Sequence, residues 1–132
     1  MATDLISFSY NWNNKLQNKA FSTIRIHNPK KYQIGKTYKI ELKGEALGTA
    51  VIQEIRVLKA DQLNNFICFL DTGYSRTDTL NILTKMYKIE NIQTAHFDFC
   101  LLVYTKPDKQ KAKALELNLA EWLIKYWWVK QE

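Results

Sequence analysis

Two prolines, four glycines and two cysteines among 132 residues exclude several kinds of protein. The glycines are scattered, so no glycine-rich loop is available to cradle a phosphate. Cys68, in Phe66-Ile67-Cys68-Phe69, and Cys100, in Phe99-Cys100-Leu101, lack metal-ligand spacing. They read as small buried hydrophobes of a reducing compartment. His27 and His96 are the only histidines, and neither has a cysteine or carboxylate at zinc-ligand spacing. No metal site and no cofactor are therefore expected. His27, next to Asn28-Pro29, reads as a turn residue. His96 shares a strand face with Asp98 and reads as exposed or satisfied in the core, ahead of a role in a cleft. No Ser/His/Asp arrangement stands out. No run of about 18 apolar residues exists, so no membrane-spanning helix is expected. Met1-Ala2-Thr3-Asp4-Leu5 lacks a basic region followed by an apolar one, so no secretory leader is expected either. A soluble cytoplasmic chain is the expectation.

What is present suffices for one domain. The chain is 46% hydrophobic and 13% aromatic, enough for one core, without internal repeats or a low-complexity linker. The net charge of +6 favours an anionic partner modestly. Lys39 and Lys43 fall on the outward side of an alternating strand, whereas Lys30, Lys31 and Lys36 cluster around Pro29 and Gly35. Charge alone does not separate RNA, DNA, a nucleotide and a merely solvated surface.

Periodicity orders the elements. A short strand is predicted over 6–10 and a short helix near Asn13–Asn18 with Leu16 inward. A strand follows over 21–26, then a turn at Asn28-Pro29. Tyr38, Ile40 and Leu42 alternate with Lys39, Glu41 and Lys43, the pattern of a strand buried on one side. Gly44-Glu45 makes a hairpin turn into a long strand over 47–58, barrel-crossing or bulged because Val51 and Ile52 are both apolar. Asp61 opens a helix-like segment containing Leu63, Phe66, Ile67 and Leu70, which Gly73 ends in a left-handed conformation. Ser75 caps the next helix, with Asp78 three residues on and Leu80, Leu83 and Tyr87 as the inner stripe. A last strand over 95–104 puts Phe97, Phe99, Leu101 and Val103 on one face and His96 and Asp98 on the other. A final helix is predicted over 108–129.

The strand Phe21-Ser22-Thr23-Ile24-Arg25-Ile26 carries the most chemistry. If Ile24 and Ile26 face the core, Phe21, Thr23 and Arg25 project from the opposite face. A hydroxyl and a guanidinium side by side on a rigid strand can bind an anionic or amide-bearing ligand. Arg25 is one of three arginines against sixteen lysines, which sets it apart from routine surface charge. The competing reading is structural: Arg25 pairs with Asp71 or another carboxylate.

The strand with Thr23-Ile24-Arg25, the turn Tyr32-x-Ile34-Gly35-Lys36, the hairpin strands and the helix start Asp71-Thr72-Gly73-Tyr74-Ser75 follow one another in an order that resembles an ASCH domain. This is the activating signal cointegrator homology module of the PUA-like superfamily, and the resemblance covers about residues 5–105. It implies an α+β fold, a PUA-like small β-barrel with packed helices over 1–106, to which 107–132 add a C-terminal helical extension. It further implies a cleft for RNA or a nucleotide, lined by Thr23, Arg25 and Asp71. Tyr74 is the better stacking candidate among Tyr10, Trp12, Phe21 and Tyr74, since core packing is the default for Trp12 and Phe21. Lys30, Lys31 and Lys36 are the candidate phosphate contacts. One branch of the family comprises small amidohydrolases that deacylate a modified cytidine with a lysine, a threonine and a carboxylate. Thr23 matches that threonine. The lysine position falls at Ala20, with Lys19 one residue earlier, and the carboxylate falls at or beside Thr72, with Asp71 adjacent. A one-residue shift on a strand reverses side-chain direction. The preferred expectation is therefore a non-catalytic RNA- or nucleotide-binding module. The alternatives are an amidohydrolase acting on a modified nucleoside through Lys19, Thr23 and Asp71, and a protein-interaction domain.

The tail has its own pattern. Leu115, Leu119, Trp122 and Tyr126 form one helical stripe, and Leu117, Ile124 and Trp128 lie roughly opposite. A helix apolar nearly all round predicts a contact surface, with a homodimer through this helix as the expected partner arrangement.

Overall fold

The computed structural model describes residues 4–107, with only the backbone of 106 and 107, so the predicted helix over 108–129 lies outside the described residues. Five strands form one mixed sheet. They are β1 (Asp4–Phe8), β2 (Ala20–Ile26), β3 (Thr37–Leu42), β4 (Glu45–Lys59) and β5 (His96–Pro107), in the order β1-β3-β4-β5-β2. β1 runs parallel to β3, and every other neighbouring pair is antiparallel. The helices are α1 (Asn65–Thr72) and α2 (Arg76–Tyr87), joined by short 3₁₀ segments at Trp12–Gln17, Ala60–Gln62 and Ile92–Thr94.

Local chemistry explains the punctuation. Lys43 and Gly44 both take positive φ, 51° and 83°, so the β3–β4 turn is centred one residue before the predicted Gly44-Glu45. Register shifts at Ile40/Glu41, Thr49/Ala50 and Ile52/Glu54 make β4 the bulged strand that its two apolar faces predicted. Asn64, rather than Asp61, caps α1, its side chain accepting from the Ile67 amide. Gly73 ends α1 at φ 82°, and the Ser75 hydroxyl accepts from the Asp78 amide to start α2, both as expected.

The sheet curls until its two edge strands approach each other. Phe8 of β1 and Phe21 of β2 meet edge-on with ring centroids 6.0 Å apart. The hollow side encloses Ile6, Phe21, Tyr38, Ile40, Ile52 and Leu102, while the outer side of β2 and β5 packs Ile24 and Phe97 against Leu63, Cys68, Leu80 and Leu83. This half-barrel with helices on one outer face meets the expectation of an α+β fold. Two details differ. Phe21 and Thr23 do lie opposite Ile24, but that face is also interior, so Phe21 is core and no ligand contact. The first strand sits at 4–8 rather than 6–10, because pairing with β3 runs from Asp4↔Tyr38 to Phe8↔Leu42. Among the described residues no helix is long and apolar enough to cross a membrane.

Candidate functional site

β1 and β2 are the two edges of the sheet, and the seam between them is bridged by a side chain. Arg25 donates from Nη2 to the Ser7 carbonyl at 2.8 Å and from Nε to the Thr23 hydroxyl at 3.0 Å. Its guanidinium carbon lies 4.5 Å from the centre of the Phe8 ring, a cation–π contact. Below this latch is a cleft of about 40 Å³, whose walls include Ser7 and Phe8 from β1, Thr23 and Arg25 from β2, Asp71 of α1 and Leu83 of α2. That volume holds a water or two, or one small substituent, but no ring.

A lysine enters the cleft from a direction the sequence concealed. Asn13 and Asn14 adopt φ of 57° and 52° inside Trp12–Gln17, breaking the predicted helix and turning the chain back on itself. Asparagine tolerates this left-handed region better than most residues. The hook delivers Lys15, 4% exposed, to Asp71, 2% exposed. Lys15 Nζ donates to Asp71 Oδ1 at 3.0 Å and to the Asp71 carbonyl at 2.9 Å, and the Ser22 hydroxyl donates to the same Oδ1 at 2.6 Å. Burial lowers the Lys15 pKa below its usual 10.5, outweighing the attraction of Asp71, and the Arg25 charge pushes the same way. The cleft thus combines a buried amine inclined to lose its proton, a carboxylate and a threonine hydroxyl. Asp71 and Thr72 diverge: Asp71 faces Lys15, whereas the Thr72 hydroxyl bonds Cys68 carbonyl and Thr79 in the helix layer.

Aromatic rings stand at the mouth. Trp12 lines the cleft and is half-buried, with Tyr10 at 4.8 Å and Tyr74 at 6.0 Å between ring centroids. Trp12 and Tyr74 also border an adjoining open groove with Asp78, Asn81, Ile82 and Lys85. Trp12 is therefore not the core residue that was expected.

The structure brings Thr23, Arg25 and Asp71 to one cleft, with Tyr74 beside it. It leaves Lys19 out: that side chain is exposed, and Ala20 is exposed too. Lys15 occupies the place considered for Lys19. Arg25 bonds Thr23 and Ser7, while the carboxylate of Asp71 is held by Lys15 and Ser22. Lys30, Lys31 and Lys36 do not line the cleft. Lys36 is ion-paired with Asp4, and Lys31 lies 5.5 Å from the Tyr32 ring centre. His27 is more than a turn residue, since its Nδ1 meets Asp98 Oδ1 at 2.7 Å and the Asn28 amide donates to Oδ2 at 2.8 Å. Asp98 is 1% exposed, whereas His96, its expected face-mate, is exposed. Cys68 and Cys100 are free and buried, and burial pushes the Cys100 thiol up to about 12, so it is no nucleophile.

No family model matches the chain, and no curated protein matches it. The fold does have a counterpart among solved structures. The chain is similar to the crystal structure of protein EF3133 from Enterococcus faecalis V583, described under the family model DUF984, with a TM-score of 0.63. The match covers 83% of this chain and 84% of that one at 6% sequence identity. At that identity the shared property is the fold: a small, curled α+β barrel-like architecture.

Proposed function

We propose that this chain is an ASCH-type domain of the PUA-like group whose seam cleft binds RNA or a nucleotide. The observation that carries this is the layering of one site. Trp12, Tyr10 and Tyr74 offer ring faces at the mouth, Arg25 and Thr23 lie at its wall, and the Lys15–Asp71 pair lies at its floor. The small depth supports a division of labour. A base stacks on the rings, at about 1–3 kcal/mol per base, and only its exocyclic group enters to meet the polar floor. Titration of the chain with short single-stranded RNA and with free nucleosides tests this. Trp12→Ala and Arg25→Ala are expected to weaken binding at least tenfold. Equal binding by wild type and Trp12→Ala would defeat the cleft.

A second reading, hydrolysis of an acylated nucleoside, is favoured by one observation. Lys15, with its lowered pKa, lines the same cleft as Thr23 and Asp71. In this reading neutral Lys15 accepts the Thr23 proton as the hydroxyl attacks the acyl carbon. The proton passes to the departing amine, and water then cleaves the threonyl ester. Incubation with acylated cytidines, followed by chromatography, tests it. Turnover that vanishes in Lys15→Met and persists in Lys19→Met would establish catalysis by Lys15, and no turnover would leave the binding module.

A further inference from the structure

The helix α1 is apolar on the wrong side for its own core. Cys68, Asp71 and Thr72 are its buried positions, yet Phe66, Phe69 and Leu70 are 73%, 51% and 59% exposed. Positions i, i+3 and i+4 share one face, so these three form a continuous apolar stripe pointing outward. Exposed apolar residues scattered singly need no explanation, whereas three large ones on one helical face mark a covered surface.

We propose that residues 108–132 of the same chain fold back onto this outward face of α1. The point where the described chain ends argues for it. Near the end of β5 the Tyr104 hydroxyl donates to the Leu16 carbonyl at 2.9 Å. The same 3₁₀ segment reaches α1, where Asn13 Nδ2 donates to the Leu70 carbonyl at 3.0 Å. The chain therefore leaves the sheet beside the segment that packs on the last turn of α1. Residues 108–114, which include Lys109, Lys111 and Lys113, span up to about 25 Å when extended. Beyond them the stripe of Leu115, Leu119, Trp122 and Tyr126 supplies an apolar face about 17 Å long if helical. It exceeds the roughly 12 Å of α1 and can cover it end to end. A tether this short holds the tail at an effective concentration near the millimolar range, which favours its own α1 over that of a second copy.

Limited trypsin digestion of the full chain tests the contact at Lys125 and Lys130, with sedimentation equilibrium alongside. Wild type is expected to be monomeric and slowly cut at both sites. The Phe69→Ser/Leu70→Ser variant should be cut at least tenfold faster, with an unchanged circular dichroism melt. Leu119→Ser/Trp122→Ser should release the tail to the same degree without altering the described domain. Three results would each overturn the proposal. The first is a wild-type tail cut as fast as in the variants. The second is a tail that stays resistant in either double variant. The third is a dimer that Phe69→Ser/Leu70→Ser converts to monomers, which would make a second copy the occupant.

Discussion

Asp71 and Asp98 are both buried, at 2% and 1% exposure, and each is held through both its surroundings and a basic side chain. Their settings diverge from there. Asp98 has one oxygen on His27 and the other on the Asn28 amide, and it fastens the loop after β2 to β5. No part of it lines the cleft. Asp71 is bonded to Lys15 and Ser22 on Oδ1 and borders open volume beneath Arg25. Burial of a charge is common to a structural clasp and a working site. The adjoining space, with other polar groups aimed at it, is what distinguishes them.

The sharpest way to break this comparison is to remove one partner on each side. Lys15→Met leaves Asp71 buried without its cation and should cost about 3–5 kcal/mol in urea unfolding. Lys15→Met/Asp71→Leu should recover most of that, because the charge that needed a partner is gone. A cost below about 1 kcal/mol for the single change would mean the pair is wetter than its burial indicates. The same lysine predicts a pH dependence. Its folded-state pKa lies below 10.5, so charging it opposes folding. Its contribution to stability should rise as pH climbs through the folded-state pKa and level off near 10.5. Lys15→Met should lack that rise.

Asp98→Ala comes next, at about 1–3 kcal/mol for an amide and an imidazole left without their acceptor. Ligand binding in the folded fraction should be unchanged. Loss of RNA affinity in a fully folded Asp98→Ala would place the loop after β2 inside the site and erase the distinction. Arg25→Ala should reverse the balance. Each of its two hydrogen bonds is worth about 1 kcal/mol net, so the melt should move little while recognition is lost. Alanine at Lys30, Lys31 and Lys36 should have the smallest effect. Single-stranded RNA affinity should drop slightly, and the salt slope should flatten by about 0.7 per phosphate contact removed.

The strands were legible because alternation survives wherever one face is solvated, as at Tyr38-Lys39-Ile40-Glu41. The caps at Gly73 and Ser75 were legible because their chemistry is local. Lys15 was not. It lies in the polar run Asn11-Trp12-Asn13-Asn14-Lys15, where a solvated loop is the natural reading, and what turns it inward is a pair of left-handed asparagines. The double asparagine was the available signal. Asp98 escaped for a related reason: its partner His27 is 71 residues away, and no spacing rule reaches that far. Within the site, Thr23, Arg25 and Asp71 could be found because strand direction and helix start place them. Which amine joins them depended on tertiary closure.

The strand order also sets a schedule for assembly. β1, β3 and β4 find their neighbours within the first 59 residues. β2 pairs along its length with β5, from Ala20↔Val103 to Ile26↔Phe97, and so has no ladder partner until nearly the whole described chain exists. Closing a loop of that length is a slow step, and it comes late in a chain made from its N-terminus. On the ribosome, Thr23 and Arg25 therefore wait as an unpaired strand while everything that will surround them is still being made. The cleft is the last part of the molecule to come into being, and a nascent chain interrupted before residue 96 has a partial sheet but no site.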